Sequence, residues 1–372
     1  MNPWNRDIEN IKYLSAATVL FSISWLWLSF TFPLRLAIFG LPYIEIGLIG
    51  TLTSFPFIIV SFSFRFLGKR SLNFGMKFPF LVISIFSLVL IFLKLDLFTY
   101  VMIIAVTGFF QSMWWISVEI ETGLIGKTGN AEKYSAAWAI PSGLFPIFSG
   151  ALLQYVGYRA IYAIVAAVSL IGFQIQPVET IERRNNIKMP LNKVLVLPMT
   201  FVGIYLGYST YVLVPLLKNS HYSYFEIGAL LAISGLAFAL GAVFAGRSMG
   251  RDSREYSAFA SILASSFLML SVDSNILSLS IALFLGGFGG SFGFSKILSY
   301  IGKSEGPRRG VFYYETLFSI GYVTGSFAGG ALLSYLGFDY SLLLFLPSAV
   351  YAIGLFASLL KSHSSPPLHD IE

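Results

Sequence analysis

Twelve apolar runs, each about as long as a membrane-spanning helix, follow one another along the 372-residue chain. A bilayer core takes about 20 apolar residues per helix, and no unpaired backbone group can face lipid. The chain is 56% hydrophobic and 11% charged, whereas soluble domains carry about 25% charged residues. We therefore predict an all-α polytopic membrane protein with twelve transmembrane helices. Their predicted limits are 13–39, 44–65, 77–95, 97–118, 134–156, 159–176, 194–217, 225–246, 256–272, 275–298, 311–335 and 340–360.

The distribution of basic residues predicts how these spans are oriented. With twelve spans both termini lie on one side, and the loops alternate between that side and the other. Nineteen Lys and Arg residues fall on the side of the termini, and four fall in loops on the opposite side. Short loops rich in Lys and Arg stay in the cytoplasm. We predict an integral protein of the plasma (cytoplasmic) membrane with both termini in the cytoplasm.

Composition also excludes several classes of function. The chain has no Cys and three His, which removes disulfides, cysteine nucleophiles and thiolate metal sites. No G-x-x-x-x-G-K-[ST] loop occurs, so this chain is not expected to pump with ATP. The predicted loops are short, whereas a membrane enzyme normally gathers acids or His in a sizeable catalytic loop. We predict no enzyme activity, cofactor, metal or nucleic-acid partner; a polytopic transferase and a non-transporting sensor or scaffold are the alternatives.

Two short motifs return about 180 positions later in the chain. The segment "YIEIGLI" at 43–49 is matched by "YFEIGAL" at 224–230, and "GALLQYVG" at 150–157 by "GALLSYLG" at 330–337. The second pair is identical at six of eight positions. Each copy falls at the same place within a set of six spans, which indicates a duplicated six-helix unit. The predicted domains are residues 1–178, a cytoplasmic linker at 179–193, and residues 194–372 with a short cytoplasmic tail.

With these motifs the sequence resembles the major facilitator superfamily of transporters. The likeness rests on the "EIG" opening of spans 2 and 8, the basic segments "RFLGKR" at 65–70 and "RSMGRD" at 247–252, and "SGALLQYVGYR" at 149–159. The family's usual loop between spans 2 and 3 has an aspartate that both basic segments lack at the corresponding position. The resemblance implies two six-helix bundles around a site near the middle of the membrane, with alternating access as the halves rock about it.

The resemblance places the solute site on helices 1, 4, 7 and 10. Polar and aromatic residues near the middle of three of these helices are the candidates, namely Trp25, Ser29, Gln111, Trp115, Tyr205, Tyr208 and Tyr211. Arg35, in the outer third of span 1, is a candidate anchor for an anionic or polar solute. The alternative is that its side chain extends to the outer headgroups. Span 10 carries "GGFGGSFG" at 286–293, which favours helix packing over binding.

Ionisable residues at the inner ends of the spans are predicted to gate or couple transport. Glu119 and Glu121 on span 4 either accept a coupling proton or pair with the basic inner loops. Glu315 is predicted to pair with the arginines after span 8 or to interact with its own helix dipole, and Lys296 to bridge to Glu119. The predicted gating and coupling residues are Arg65, Gly68, Lys69, Arg70, Glu119, Glu121, Arg247, Gly250, Arg251, Lys296 and Glu315.

An aromatic site with few charges near the middle of the membrane suits a neutral or amphipathic solute, because a charged solute needs a buried counter-charge. The sequence therefore predicts secondary active or facilitative transport of a small solute by alternating access. We expect export of lipophilic or amphipathic compounds, with import of a neutral nutrient such as a sugar as the alternative. The expected partners are the solute and the lipid bilayer, a proton is a candidate coupling ion, and the expected state is a monomer.

Overall fold

Eleven helices follow one another in the residues that the computed structural model describes, which are 3–67, 69–93, 96–125, 130–175, 196–247, 258–260, 262–263, 266, 275–302 and 307–364. They are α1 (Pro3–Ile38), α2 (Tyr43–Phe64), α3 (Lys69–Phe92), α4 (Leu97–Ile125), α5 (Asn130–Tyr155), α6 (Tyr158–Gln174), α7 (Pro198–Asn219), α8 (Tyr224–Arg247), α9 (Ile276–Gly302), α10 (Pro307–Val323, Thr324–Ala328 and Gly329–Leu336) and α11 (Phe338–Ser341, Leu342–Phe345 and Leu346–Ser364). Each coincides with one predicted span. The ninth predicted span, 256–272, lies mostly outside the described residues, and 258–260, 262–263 and 266 are helical.

Length and composition of the helices agree with a membrane protein. Ten of the described helices are long and apolar enough to cross a membrane, and α6 is a shorter apolar helix of 17 residues. No strand occurs in the described ranges. The helix α1 begins at Pro3, earlier than predicted, because Pro is tolerated in a first helical turn and the following polar residues include no further Pro or Gly.

The sequence repeat divides the described helices into a first half, α1–α6, and a second half, α7–α11. In the first half, α1–α6, the helix α2 packs against α4, α3 against α6 and α1 against α5. In the second half, α7 packs against α10 and α8 against α9. The halves meet along α5 and α8 and along α2 and α10. These two contacts are equivalent in the repeat, since α2 and α8 carry one motif and α5 and α10 carry the other.

The two motifs bind each other across the halves. At the N-terminal end of α2, which the charge distribution predicts to be on the outer side, the backbone N–H of Ile44 donates to Oγ of Ser334 in α10, with an N···O distance of 2.9 Å. The terms outer and inner follow this predicted orientation. At the equivalent place on α8, the N–H of Phe225 donates to Oε1 of Gln154 in α5 at 3.2 Å. Both bonds satisfy an N–H group in a first helical turn, where no partner exists within the helix. The duplication therefore forms the same interhalf contact twice.

Glycines bring the helices of these contacts close together. A Cβ atom on Gly47 of α2 would overlap the carbonyl oxygen of Ser326 in α10, and one on Gly228 of α8 would overlap that of Pro146 in α5. Because the overlap is with backbone, a rotamer change of a neighbour does not relieve it. The Gly47 and Gly228 contacts hold the outer ends of the two halves together in this structure.

The second motif also ends in the same turn in both halves. Gly157, between α5 and α6, and Gly337, between α10 and α11, each have φ 94° and ψ 178°. Residues with a side chain rarely adopt a positive φ of this kind, whereas glycine does so readily. The shared glycine thus sets the same reversal of the chain at the outer side of each half.

Within the second half, α7 and α10 cross at four glycines. A Cβ on Gly203 or Gly207 of α7 would overlap carbonyl oxygens of α10, and one on Gly321 or Gly325 of α10 would overlap carbonyl oxygens of α7. Each helix contains a π-helical turn here, at Ser209–Leu213 just after the crossing in α7 and at Thr324–Ala328, which includes Gly325, in α10. Single π-helical turns inside α-helices are frequent at functional sites.

Candidate functional site

A cavity of about 230 Å³ lies between the two halves near the middle of the membrane-spanning region. Both halves contribute to its wall, through α1, α2, α4 and α5 on one side and α7, α8, α9 and α10 on the other. Five of the residues predicted for the solute site line it, namely Trp25, Ser29, Gln111, Trp115 and Tyr205.

Helical spacing explains which side chains reach the cavity. On α4 the lining residues are Gln111, Trp115 and Glu119, each four positions from the last, and such a spacing keeps side chains on one face of a helix. On α10 the lining residues Glu315, Phe318 and Tyr322 follow spacings of three and four. On α5 the lining residues are Tyr134, Trp138, Ser142 and Pro146, at four-residue intervals.

Aromatic rings cover the inner part of the cavity and connect the halves. Trp138 of α5 lies 4.3 Å from Phe238 of α8 and 5.2 Å from Phe294 of α9, measured between ring centroids. Trp115 lies 6.2 Å from Trp138 and 6.3 Å from Tyr134. Aromatic pairs at 4.5–7 Å contribute about 0.5–1.5 kcal/mol beyond the area they bury. This ring cluster therefore forms a rigid apolar wall that both halves share.

Polar groups on the wall are of two kinds. The hydroxyl of Tyr205 is fixed, because it lies 2.6 Å from Ser234 Oγ and donates to the Leu283 carbonyl at 3.2 Å. Gln111, in contrast, is 8% exposed and its Oε1 accepts no hydrogen bond from any described residue. A buried acceptor without a donor is costly. Gln111 is thus suited to bind a polar group of a solute.

Two carboxyl groups from opposite halves meet at the inner end of the cavity. Glu119 of α4 and Glu315 of α10 are 2% and 3% exposed, and both line the cavity. The hydroxyl of Tyr134 donates to Glu119 Oε1 at 3.2 Å. Among the described residues, no donor reaches Oε2 of either glutamate. The pair is therefore a buried acidic site that spans the interface of the halves.

Three further residues predicted for the solute site lie away from the cavity. The guanidinium of Arg35 lies between the rings of Tyr100 and Tyr158, 5.5 and 5.3 Å from their centroids, within the first half. The hydroxyl of Tyr208 lies 2.7 Å from Ser341 Oγ in α11. The ring of Tyr211 packs beside Gly50 of α2. These side chains connect helices rather than line the cavity.

The fold is similar to a solved transporter. The crystal structure of the human organic anion transporter MFSD10 (TETRAN) superposes with a TM-score of 0.70 at 11% sequence identity, covering 94% of this chain and 99% of that chain. The family model described as Major Facilitator Superfamily matches residues 195–371. The second half of the chain therefore matches the major facilitator superfamily, and the whole chain shares the fold of the solved structure. The comparison with curated proteins found no match. The family match and the apolar helices support an integral membrane protein with a general role in membrane transport.

One of the predicted gating residues, Arg65, contacts the opposite half on the inner side. The guanidinium of Arg65, after α2, lies 5.8 Å from the ring of Phe312 in α10. Nearby, Arg308 of α10 donates a hydrogen bond to the carbonyl of Leu67. The inner ends of the halves are thus joined at the basic segment after α2, where the resemblance predicted a gate.

Other predicted gating residues have separate environments. Glu121 is 3% exposed and does not line the cavity, and the ammonium of Lys296 lies 5.9 Å from the Phe292 ring centroid. Arg70 and Arg247 are exposed. Glu119 interacts with Tyr134, Tyr314 and Glu315. Gly68, Gly250, Arg251 and the side chain of Lys69 lie outside the described residues.

The outer contacts between the halves allow a direct test of gating. Gln154→Ala and Ser334→Ala each remove one interhalf hydrogen bond, worth about 1 kcal/mol or less. The equilibrium constant for closing the outer side should therefore fall by up to about fivefold in each variant. The chain has no Cys, so Ser29→Cys supplies a single reporter thiol in the cavity. We expect a faster reaction of this thiol with an impermeant maleimide added outside, and an additive effect in the double variant. Unchanged rates in all three variants would argue against an outer gate here.

Proposed function

We propose that this protein exports small amphipathic compounds from the cytoplasm by alternating access. The cavity wall supports this most directly, because both halves contribute to it and rocking of the halves would expose one site to each side in turn. Interhalf contacts lie on both sides of the cavity, at Ile44 and Ser334 on the outer side and at Arg308 and Leu67 on the inner side. Breaking the contacts on one side while keeping those on the other is the simplest way to open the cavity to one side of the membrane only.

The chemistry of the wall favours a small solute with apolar surface. Ligand pockets usually have volumes of about 300–1,000 Å³, and this cavity, at about 230 Å³, is below that range. Aromatic side chains dominate its inner part, and single polar groups such as Gln111 are suited to orient a solute. This composition supports an amphipathic compound over a sugar, which needs many hydrogen-bonding partners.

The solved relative bears on the charge of the solute. The human protein is named an organic anion transporter. In the present cavity the described lining residues include two glutamates and no Lys, Arg or His. A buried anion needs a buried positive partner. We therefore do not extend anion transport to this chain.

Flux measurements test the proposal. The purified protein is reconstituted into liposomes and offered labelled amphipathic compounds and labelled glucose, with and without an imposed pH gradient. We expect flux of an amphipathic compound above that of protein-free vesicles. Flux of glucose without flux of any amphipathic compound would contradict export of amphipathic compounds and support the second candidate function, uptake of a neutral nutrient.

Trp115→Ala should weaken solute binding because it removes a large part of the aromatic wall. Full burial of a side chain of this size is worth about 2–3 kcal/mol, so we expect a rise of the apparent KM by about tenfold or more. Phe356→Ala on α11 is the matched control, since that aromatic side chain is 57% exposed on the lipid-facing surface. An equal change of KM in both variants would contradict a role of the aromatic wall in binding.

A further inference from the structure

The outer end of the first half contains a guanidinium group that lies outside the cavity. Arg35 is in the last turn of α1 and is half-buried. Its Cζ atom lies 5.5 Å from the ring centroid of Tyr100, in the first turn of α4, and 5.3 Å from that of Tyr158, in the first turn of α6. The ring of Tyr162, one turn further along α6, lies 6.3 Å from that of Tyr158. We call these four residues the outer corner of the first half.

The repeat identifies the residue of the second half that corresponds to Arg35. Gly40 after α1 and His221 after α7 both have a positive φ, 78° and 66°, and so mark the same turn in the two halves. Arg35 precedes Gly40 by five positions, as Leu216 precedes His221. The arginine of the first half is therefore a leucine in the second.

The three tyrosines of the outer corner have apolar equivalents as well. The side chains of Asp96 and Asn275 each accept a backbone N–H in the first turn of α4 and α9, and Tyr100 lies four positions after Asp96. Tyr158 and Tyr162 are matched by counting from the glycines before α6 and α11. The full set of equivalents in the second half is Leu216, Leu279, Phe338 and Leu342.

Packing alone does not require polar residues in this corner, since the second copy of the unit has apolar residues at every equivalent position. The polar set also lowers stability. The hydroxyls of Tyr100 and Tyr162 are buried and have no hydrogen-bond partner among the described residues, and a buried hydroxyl without a partner is costly. The guanidinium of Arg35 cannot lose its charge, so its partial burial is unfavourable unless an anion lies nearby.

The chain does not supply this anion from its described residues. The carboxylate of Asp96 accepts the N–H of Thr99 at 2.7 Å, and that of Glu226 accepts the N–H of Ser223 at 2.8 Å. No carboxylate in the described part of the chain forms an ion pair with Arg35, whose guanidinium contacts aromatic rings. The corner therefore carries a positive charge without a negative partner.

The start of α6 adds a second positive group beside Tyr158. No side chain caps the helix at Gly157, and its first turn has no acidic residue but includes the exposed Arg159. The equivalent helix of the second half, α11, has Asp339 at the position of Arg159. A carboxylate in a first turn is stabilised by the helix dipole. The second half thus has its own anion at this place, and the first half has none.

We propose that the outer corner of the first half binds the phosphate group of a phospholipid in the outer leaflet, with the guanidinium of Arg35 as its main ligand. Arginine pairs with phosphate through two parallel hydrogen bonds, and the rings of Tyr100 and Tyr158 hold the guanidinium by cation–π contacts. A lipid is the source of the phosphate because Arg35 lies in the last turn of a membrane-spanning helix, where long basic side chains reach the headgroups. The phosphate supplies the negative charge that Asp339 supplies in the second half.

Binding of lipid to the purified full-length protein in detergent tests this inference. The probes are phosphatidylglycerol, a diacylglycerol with the same acyl chains but no phosphate, and inorganic phosphate. Native mass spectrometry measures binding, and the melting temperature reports stabilisation of the folded protein. We expect phosphatidylglycerol alone to bind and stabilise. Equal stabilisation by diacylglycerol would overturn the phosphate site, and stabilisation by inorganic phosphate alone would overturn its assignment to a lipid.

Substitution of Arg35 separates the site from its role in packing. Arg35→Leu introduces the residue that the second half has at this place, so the variant should fold with a melting temperature without lipid at or above that of the wild type. Its affinity for phosphatidylglycerol should fall about tenfold to a hundredfold, because a charge-assisted hydrogen-bonded pair is lost. Arg35→Lys keeps the charge without the planar fork and should have an intermediate affinity.

Lys218→Gln is the matched control. Lys218 is half-buried in the last turn of α7, and its Nζ lies 4.2 Å from the ring centroid of Tyr224, so this change removes a similarly placed charge from the second half. The control should bind phosphatidylglycerol as the wild type does. Unchanged affinity in folded Arg35→Leu, or an equal loss in both variants, would overturn the site. Either result leaves the export proposal in place, because flux of an amphipathic compound tests that separately.

Discussion

Gly47→Leu is expected to abolish transport and to hold the outer side of the protein open. A side chain at this position would overlap the backbone of Ser326 in α10, and that contact exists only while the outer ends of the halves are together. The clash therefore raises the free energy of the outer-closed state and leaves an outer-open state unaffected. Gly228→Leu should act in the same way through Pro146 of α5, since the repeat makes the two contacts equivalent.

Labelling and flux together identify this effect. With Ser29→Cys as the reporter, we expect an impermeant maleimide added outside to react about five- to 150-fold faster in the Gly47→Leu background, corresponding to the 1–3 kcal/mol typical of an overpacked contact. Gly354→Leu is the matched control, because nothing lies within 4 Å of a Cβ at that glycine. Normal flux in the Gly47→Leu variant would show that the outer contact does not have to form during transport.

Gly207→Leu is expected to prevent the protein from folding rather than to trap it in one state. The overlap at this glycine is with the Tyr322 carbonyl of α10, and α7 and α10 belong to the same half. Rocking of the halves does not separate these helices, so no conformation of the transport cycle relieves the clash. Overpacking against backbone costs about 3 kcal/mol or more, which is a large part of the stability of a typical domain.

Size-exclusion chromatography and thermal unfolding in detergent measure this second effect. We expect little monodisperse Gly207→Leu protein, an intermediate melting temperature for Gly207→Ala, and a value near that of the wild type for Gly354→Leu. The contrast with Gly47 is the informative comparison. Were Gly207→Leu to fold normally and only shift the labelling of the reporter thiol, the α7–α10 crossing would have to open during transport, contrary to its position within one half.

The sequence predicted the fold well because both of its signals are strong. Long apolar runs fix the number and type of the elements, and the described helices coincide with eleven of the predicted spans. The repeated motifs at Tyr43 and Tyr224 indicated two equivalent halves. They did not indicate that the motif on α2 packs against α10, or that its copy on α8 packs against α5. That pairing depends on the tertiary arrangement, which spacing along one chain does not determine.

The cavity was predictable only helix by helix. The four-residue spacing of Gln111 and Trp115 correctly indicated one face of α4, and one more turn of the same face would have reached Glu119. Its proximity to Glu315 could not be read in this way, because the two residues lie on different halves and no repeat relates them. The tyrosines of α7 show a second limit of the sequence prediction. Tyr205, Tyr208 and Tyr211 cannot all face one cavity, and composition does not say that Tyr205 is the one that does.

The paired outer contacts have the geometry of an isologous interface, in which the same surface appears on both partners. A free six-helix unit with this surface would dimerise through it, and a single substitution would change both contacts together. Once two copies share one chain, each contact can change by itself. Gln154 and Ser334 illustrate the result, since different side chains accept the equivalent hydrogen bond on the two sides. The fused chain can therefore strengthen one side of its outer closure without the other, which a symmetric dimer cannot.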